Sequence, residues 1–356
     1  MSSEGAERPA SGPFECPVPL MGADSILLGH GSGGRLTAKL LEETILPPLR
    51  NPVLDVLDDQ AVVHVSDQPV AFTTDSFVVT PLFFPGGDIG ELAVNGTVND
   101  LAVGGATPLF LSLALILEEG LPVEELRRVV ESVQRAARRA GVTIVTGDTK
   151  VVGRGSGDKV FINTAGIGLP RAGVSLSSRR VRPGDVILLS GTVGDHGVAI
   201  LSTREGLAFE GDIASDTAPL HGLVAAALDA YPDVHAMRDP TRGGLAATLV
   251  EIATRQGLGV EVDETSIPVR DEVRGACEML GLDPLLVANE GKLVAFVPEE
   301  GAEAALAAMR AHPLGRDAAR IGRVTGEHPA RVVLRTAIGG RRVLELPFAE
   351  ALPRIC

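Results

Sequence analysis

Residues 109–148, LFLSLALILEEGLPVEELRRVVESVQRAARRAGVTIVTGD, decide the fold class of this chain. The continuous apolar run Leu109–Leu117 predicts a buried strand. Pro122 and Gly141 predict the two ends of a helix. Between them, apolar residues recur with the helical period, at Leu126, Val129, Val130, Val133 and Ala137. Val142–Val145 predicts a second strand, so the stretch indicates a strand–helix–strand unit of an α/β protein.

A second α/β region follows a basic, serine-rich segment that ends in Pro183-Gly184. The apolar run Val186–Leu189 predicts its first strand, and further strands and helices alternate to about residue 346. We therefore predict two α/β domains of similar size. The predicted parts are a disordered extension over residues 1–23, an N-terminal domain over 24–170, a C-terminal domain over 171–346 and a mobile tail over 347–356.

Composition excludes several classes of protein. The net charge of −14 disfavours nucleic acid and anionic membrane surfaces as partners, because both are bound by clustered basic residues. We find no apolar run long enough to cross a membrane and no signal-peptide core. The three cysteines form no C-x-x-C pair, which argues against a structural zinc site or a disulfide framework. A soluble cytoplasmic protein is the expectation.

Carboxylates recur where predicted strands end. They are Asp58, Asp59, Asp75, Asp100, Asp148 and, from the second half, Asp239. Ligands of α/β proteins gather at the carboxyl ends of strands, and converging acids repel one another unless cations neutralise them. A single Asp is usually a turn or helix cap. The full set favours Mg²⁺ bridging the phosphates of a nucleotide.

A glycine-rich loop, Gly29-His30-Gly31-Ser32-Gly33-Gly34-Arg35, is the main candidate for contact with phosphate. Closely spaced glycines allow backbone N–H groups to surround an anion. The loop lacks the Gly-Lys-Ser/Thr of a P-loop, and a flexible hinge explains it equally well.

Two further residues are candidates for proton transfer. Lys150 follows Asp148-Thr149 and could neutralise phosphate or act as a base; Glu290 lies in a predicted turn, where a solvated acid is the ordinary alternative.

The chain ends in Pro353-Arg354-Ile355-Cys356. A terminal residue tends to remain in solvent unless the fold binds it, so a structural role for this thiol is unusual. The functional interpretation is a nucleophile on a mobile arm, and the alternative is an incidental terminal residue.

Several motifs together resemble one family. They are Gly-His-Gly-Ser-Gly-Gly, Thr-Thr-Asp-Ser-Phe, Val-Asn-Asp-Leu-Ala, Gly-Asp-Thr-Lys-Val, Ser-Gly-Thr-Val-Gly-Asp-His-Gly, Arg-Asp-Pro-Thr-Arg-Gly-Gly-Leu-Ala, Ala-Asn-Glu-Gly and the terminal Pro-Arg-Ile-Cys. Their order, with the final cysteine, resembles the HypE family of hydrogenase expression/formation proteins. That family lies within the aminoimidazole ribonucleotide synthetase and selenophosphate synthetase superfamily. The resemblance covers the chain from about residue 26 to the end.

The resemblance implies a fold and an activity. The fold is two-domain and PurM-like, with N-terminal sheets that pair in a homodimer. The C-terminal Cys accepts a carbamoyl group from the carbamoyltransferase HypF, and ATP drives its dehydration to a thiocyanate. The cyano group then passes to iron in the HypC–HypD complex, for the [NiFe]-hydrogenase centre.

The resemblance and the residue chemistry together suggest roles for individual side chains. We expect Cys356, Lys150 and Glu290 to be catalytic, the last two as a proton-relaying pair. We expect Mg²⁺ at Asp59, Asp75, Asp100 and Asp239. The nucleotide site is expected to contain Gly31, Ser32, Gly33, Gly34, Asp58, Thr74, Asp75, Asn99, Asp100, Asp148 and Thr149.

Three alternatives stay open at this point. A selenophosphate synthetase would carry a cysteine or selenocysteine in its glycine-rich N-terminal segment, whereas Cys16 lies in the predicted extension. An aminoimidazole ribonucleotide synthetase would need no terminal thiol. A non-enzymatic ATP-binding scaffold would tolerate loss of Cys356.

Overall fold

The structure is a computed structural model that describes residues 26–31, 34–207, 211–346 and 354–356. The predicted extension over 1–23, Ser32 and Gly33 of the glycine loop, and residues 347–353 of the tail lie outside the described residues. Among the residues that are described, no helix is both long and apolar enough to cross a membrane.

The N-terminal half is built on a five-stranded sheet. In chain order its elements are α1 (Arg35–Leu40), β1 (Ala61–Val65), β2 (Gln68–Phe77), β3 (Phe83–Phe84), β4 (Gly87–Asp88), α2 (Ile89–Val103), β5 (Ala106–Glu118), α3 (Val123–Ala140), β6 (Thr143–Val152) and β7 (Val160–Pro170). The strand order across the sheet is β1-β2-β7-β5-β6, with β5 and β6 parallel and the other neighbouring pairs antiparallel. The predicted strand–helix–strand unit is confirmed, with each strand longer than its apolar run.

Helix α2 is the central element of this half. The Asp88 carboxylate caps it by accepting hydrogen bonds from the amides of Gly90 (2.8 Å) and Glu91 (3.1 Å). Nearly every residue of the helix is buried, because the sheet covers one side of it and the second half of the chain covers another. Polar residues of α2 are therefore held in the interior, where they must find partners.

The C-terminal half is built on a seven-stranded sheet. Its elements are β8 (Val186–Leu189), α4 (Asp195–Glu205), α5 (His221–Ala230), β9 (Ala236–Arg238), α6 (Gly244–Gln256), β10 (Gly259–Asp263), α7 (Asp271–Leu280), β11 (Val294–Val297), α8 (Glu299–Ala311), β12 (Ala319–Thr325), β13 (Arg331–Arg335) and β14 (Arg341–Leu344). The order across the sheet is β14-β13-β10-β12-β8-β11-β9.

Strand β8 is buried on both faces, which explains its uninterrupted apolar sequence. Ile187 and Leu189 belong to the core beside α6, whereas Val186 and Leu188 belong to the core beside α5 and α8. Alternate residues of a strand point to opposite faces, so two helical layers around one sheet require an apolar residue at every position.

The two halves meet through hydrogen bonds from α2. Asn95 donates to the Thr217 hydroxyl (3.1 Å). Asn99 donates to the carbonyl of Ala218 (3.1 Å) and accepts from the amide of Leu220 (2.7 Å). Both asparagines are almost fully buried. The interface therefore fixes α2 against the segment that leads into α5.

Candidate active site

Three carboxylates converge between the two halves. Asp59 precedes β1, Asp100 lies on α2 and Asp239 follows β9, and their nearest oxygens all lie within 4.8 Å of one another. The domain interface brings them together, since each comes from a different part of the chain. Hard oxygen donors at this spacing fit Mg²⁺.

Neighbouring groups hold two of these acids in place. The Thr73 hydroxyl lies 2.9 Å from Asp100 Oδ2 and 2.9 Å from the Asp59 carbonyl oxygen. The Arg238 guanidinium forms an ion pair with Asp59 at 2.6 Å, largely shielded from solvent. This guanidinium offsets part of the negative charge at Asp59 and Asp239.

The electrostatics of the cluster indicate an ion site. Burial, opposed in part by Arg238, raises the pKa of Asp59 to about 7 and that of Asp239 to about 6. Burial, with repulsion from Asp239 and Asp59, raises the pKa of Asp100 well above its ordinary value. Charged carboxylates in this position are costly unless a cation stands among them. The residues present therefore fit Mg²⁺.

Asp75, the fourth expected ligand, lies beside the cluster. It belongs to β2, and its Oδ1 accepts a hydrogen bond from the amide of Ser76 (2.8 Å). Its charge raises the pKa of Asp100, so the two groups are close. Burial raises the pKa of Asp75 itself.

The last three residues of the chain are docked against the edge of this site. Ile355 pairs with Val79 in an antiparallel bridge, and the amide of Val78 donates to the Cys356 carbonyl (3.0 Å). The amide of Thr80 donates to the Arg354 carbonyl (3.2 Å). Ile355 is 1% exposed and belongs to an apolar core cluster. The tail was expected to be mobile; in this structure its described end is held by a single β-bridge and these hydrogen bonds.

Docking places Cys356 in a small pocket that includes two of the three clustered acids. The pocket is lined by Asp75, Ser76, Phe77, Gly96, Asp100, Asp239, Thr241, Arg242, Glu290 and Cys356. Cys356, Glu290 and part of the predicted ion site therefore line one cavity.

Glu290 is suited to proton transfer in this cavity. It is 4% exposed, and its Oε1 has no hydrogen-bond partner within the described part of the chain. Burial, with repulsion from Asp239 and Asp216, raises its pKa well above the ordinary value. A buried carboxyl with a free acceptor atom can take a proton from a neighbouring group and return it.

The turn that carries Glu290 is fixed by Asp216, a residue that sequence reasoning missed. Asp216 accepts hydrogen bonds from the amides of Glu290 (3.0 Å) and Gly291 (3.3 Å) and from Lys292 Nζ (3.0 Å). Asn289 ties the same turn to Asp239 by donating to the carbonyl of Pro240 (2.9 Å). No sequence motif marks Asp216, whereas Asn289 lies in the quoted Ala-Asn-Glu-Gly.

Lys150 and Asp148 lie elsewhere. Both belong to the edge strand β6, where Lys150 Nζ is 3.2 Å from Asp148 and the two side chains are 71% and 64% exposed. Lys150 pairs in register with Ile116 of β5, and Ile116 pairs with Phe161 of β7. All three side chains lie on the face of the sheet opposite the helices. Thr149, between them, is also exposed. Within one described chain, the predicted pairing of Lys150 with Glu290 is not formed.

The remaining expected nucleotide residues have mixed positions. The Gly31 carbonyl accepts a hydrogen bond from Nη1 of Arg242 (3.4 Å), which lines the pocket, and Gly34 precedes α1. Asp58 accepts hydrogen bonds from the hydroxyls of Ser177 (2.7 Å) and Ser178 (2.6 Å). These bonds tie the serine-rich segment between the two domains to the N-terminal half. Two others serve the fold in this structure, Thr74 by donating to the Thr164 carbonyl and Asn99 at the domain interface.

The fold and its acidic site define the class of the protein. The family described as "AIR synthase related protein, N-terminal domain" matches residues 57–169, and "AIR synthase related protein, C-terminal domain" matches residues 182–335. The chain is a two-domain, PurM-like α/β protein of this class.

Closer comparisons narrow the class. The chain is 56% identical over 332 residues to "Carbamoyl dehydratase HypE" of Azotobacter vinelandii, which covers 93% of this chain and 97% of that protein. A crystal structure of the hydrogenase maturation protein HypE in complex with ATP superposes with a TM-score of 0.79 at 52% identity, over 93% of this chain and 100% of that one. A HypE–HypF complex superposes with a TM-score of 0.82 at 47% identity, over 86% and 99%. The chain belongs to the HypE family.

Proposed function

We propose that this protein is the ATP-dependent carbamoyl dehydratase of [NiFe]-hydrogenase maturation. Its substrate is a carbamoyl group carried as a thiocarboxamide on Cys356, and its product is the thiocyanate. One observation carries the proposal: Cys356 lines the same cavity as Glu290 and members of the acidic cluster.

The chemistry requires such a cavity. An amide oxygen is a poor leaving group, and its phosphorylation by ATP converts loss of water into loss of phosphate. The balanced change is thiocarboxamide plus ATP to thiocyanate, ADP, phosphate and one proton, with the amide oxygen retained in the phosphate. Both N–H bonds are broken, so a base must stand beside the terminal residue.

Residues of this chain are assigned to these tasks. Glu290 accepts a proton from the nitrogen of the carbamoyl group, which lies two bonds beyond the sulfur of Cys356. Asp59, Asp100 and Asp239 hold Mg²⁺, with Asp75 beside them, and bound Mg²⁺ neutralises charge on phosphate. The contact between Gly31 and Arg242, which lines the cavity, supports a nucleotide position beside the cavity.

A homodimer is part of the proposal. The face of the five-stranded sheet opposite α2 and α3 carries exposed apolar residues, including Phe72, Phe110 and Ile167, each 42–44% exposed. The strand registers place these three residues side by side. A second copy on this face would cover them, together with Asp148 and Lys150, and Lys150 would then act across the dimer.

The partners and the compartment follow from the reaction. HypF is proposed as the carbamoyl donor, supported by the solved complex of a relative with a protein of that name. The HypC–HypD complex is proposed as the acceptor of the cyano group, and the cytoplasm as the compartment in which the acceptor thiol stays reduced.

Stoichiometry of ATP use tests the proposal. Protein, HypF, carbamoyl phosphate and ATP are incubated, and the ADP formed is compared with the carbamoyl groups incorporated, because carbamoyl phosphate itself releases phosphate when it donates its group. We expect one ADP for each group on the wild type and on Cys277→Ser, and none above background on Cys356→Ser. Equal ADP formation by Cys356→Ser would contradict the proposal.

A further inference from the structure

Two side chains of helix α4 form hydrogen bonds with the backbone of the docked tail. His196 Nε2 lies 2.6 Å from the Ile355 carbonyl oxygen, and Arg204 Nη2 donates to the Arg354 carbonyl at 2.6 Å. These are the last two peptide carbonyls before Cys356. Two side chains of one helix therefore bind consecutive carbonyls of the segment that delivers the thiol.

The hydrogen bonds around His196 define its tautomer. The amide of Thr217 donates to the Ser215 hydroxyl oxygen (3.2 Å), so the hydroxyl hydrogen is available to donate to His196 Nδ1 at 2.8 Å. The Ile355 carbonyl can only accept, so Nε2 must carry the imidazole proton. Burial lowers the pKa of His196, which favours this neutral form. Ser215 thus orients the ring, and Nε2 donates to the tail.

Arg204 forms the second contact and joins the tail to the segment with which it pairs. Its Nε donates to the Thr80 carbonyl (3.0 Å) while its Nη2 donates to the Arg354 carbonyl. Thr80 lies on the segment that pairs with the tail, and its own amide also donates to Arg354. The guanidinium therefore stabilises the pairing of Val79 with Ile355 by binding the adjacent carbonyls of Thr80 and Arg354.

The two residues are placed to act together. They are eight positions apart, about two helical turns, and so lie on the same side of α4. The ring of Phe84 packs edge-on against the imidazole of His196, with centroids 5.7 Å apart. Because the contacts are to backbone carbonyls, they do not depend on which group the thiol carries.

We propose that His196 and Arg204 form a carbonyl clamp that positions Cys356 for dehydration and sets how often the tail leaves. The assignment of a reaction step to the clamp rests on the proposed function, whereas its hold on the tail does not. In that reaction the thiol must meet an external donor and then return to the cavity. Weakening the clamp favours the released tail, which slows dehydration without impairing receipt of the carbamoyl group.

Release of the tail is measured without carbamoyl transfer or dehydration. A maleimide attached to polyethylene glycol is too bulky for the cavity, so it modifies Cys356 when the tail is out. We expect His196→Leu and Arg204→Met each to raise this rate by roughly tenfold, the factor that about 1.4 kcal/mol of lost hydrogen bonding produces. Ser202→Ala is the matched control, because its hydroxyl bonds within α4 to the Val198 carbonyl.

Unfolding is distinguished by Cys277, which is buried on α7. Modification of Cys277 at the wild-type rate shows that a variant is folded, and if His196→Leu fails this check, Arg204→Met and His196→Gln decide the matter. His196→Gln retains an N–H donor and is expected to restore most of the protection. Wild-type modification rates at Cys356 in folded His196→Leu and Arg204→Met would overturn the clamp.

The reaction gives a second, separate readout. In single turnovers with the clamp variants we expect carbamoyl transfer to Cys356 at the wild-type rate or faster, slower loss of water, and an unchanged KM for ATP. Slower transfer with unchanged dehydration would overturn the positioning role. Absence of dehydration in the wild type as well would refute the proposed function and leave the measured release of the tail to judge the clamp.

Discussion

At the scale of single residues, Asp59, Asp100 and Asp239 are held in a buried position that disfavours their charges. Burial raises the pKa of each carboxyl, repulsion from neighbouring acids adds to the rise, and Arg238 opposes it at Asp59 and Asp239. The same arrangement is favourable once a divalent cation is bound. At each position the charged carboxylate therefore lowers the stability of the ion-free protein and raises its affinity for the ion.

Asp239→Asn separates these two effects. Without metal, the variant is expected to melt at a higher temperature than the wild type, by about 2–4 °C for each kcal/mol of repulsion relieved. With Mg²⁺ and ATP, the wild type gains stability and the variant loses most of that gain. Differential scanning fluorimetry with and without Mg·ATP measures both shifts. A full Mg·ATP shift in Asp239→Asn, as in the exposed control Asp317→Asn, would contradict a role in ion binding.

The described cysteines differ in their expected reactivity. Burial, with repulsion from Asp283, raises the pKa of Cys277 to about 11. Only about one thousandth of this thiol is then ionised at pH 8, and the fraction rises about tenfold per pH unit below the pKa. With small iodoacetamide, we expect Cys277 to react far more slowly than Cys356 at pH 8. Peptide mass spectrometry over pH 7–9 measures both rates. Equal rates would contradict a buried position for the Cys277 thiol.

At the scale of elements, the turn over residues 289–292 determines where Glu290 stands. A Cβ atom on Gly291 would lie 1.8 Å from the Asp216 carbonyl oxygen, so the turn and the Asp216 segment fit only with glycine. The same segment carries Ser215, which orients His196. The proton acceptor and the docked tail thus share one support.

Gly291→Ala tests this support. We expect the free energy of unfolding to fall by about 1–3 kcal/mol, since the backbone must move, and dehydration to slow because Glu290 moves with it. Gly326→Ala, where a Cβ meets nothing within 4 Å, is the matched control. Urea unfolding and single-turnover dehydration are the measurements. A variant that matches Gly326→Ala in both would refute the assigned role of the turn.

The open face of the five-stranded sheet leads to a prediction about assembly. Ile167→Lys places a charge among exposed apolar residues, and we expect it to convert a dimer into a monomer, as seen by size-exclusion chromatography with light scattering. Val123→Lys, at the start of α3, is the control, since Val123 is 72% exposed away from that face. A wild-type monomer, or a dimeric Ile167→Lys, would contradict the proposed interface.

Sequence patterns predicted these elements well where periodicity was strong. The β5–α3–β6 unit follows from an apolar run, a helical period and a left-handed Gly141 at φ 69°. Strand ends were predicted less well, because β2 and β6 continue through polar residues. Asp75 and Asp148 therefore lie within strands. The alternation of side chains along β6 places Lys150 on the open face of the sheet, and the apolar content of that segment does not reveal this alternation.

At the scale of the whole molecule, the site exists because two domains and the end of the chain meet. Asp59 and Asp100 come from the N-terminal half, Asp239 and Glu290 from the C-terminal half, and Cys356 from the tail. The motifs indicated most of these residues one by one. The supporting contacts of Asp216, His196 and Arg204 join residues far apart in sequence, and no local pattern predicts such contacts.

Mass spectrometry of the C-terminal peptide tests the central claim most directly. Protein carbamoylated by HypF is freed of nucleotide, mixed with Mg·ATP or with Mg²⁺ alone, and sampled over time. The account predicts a carbamoyl adduct on Cys356 that loses one water when ATP is present and persists when it is absent, with little loss in Glu290→Gln. Loss of water without ATP, an adduct on another residue, or wild-type dehydration by Glu290→Gln would contradict it.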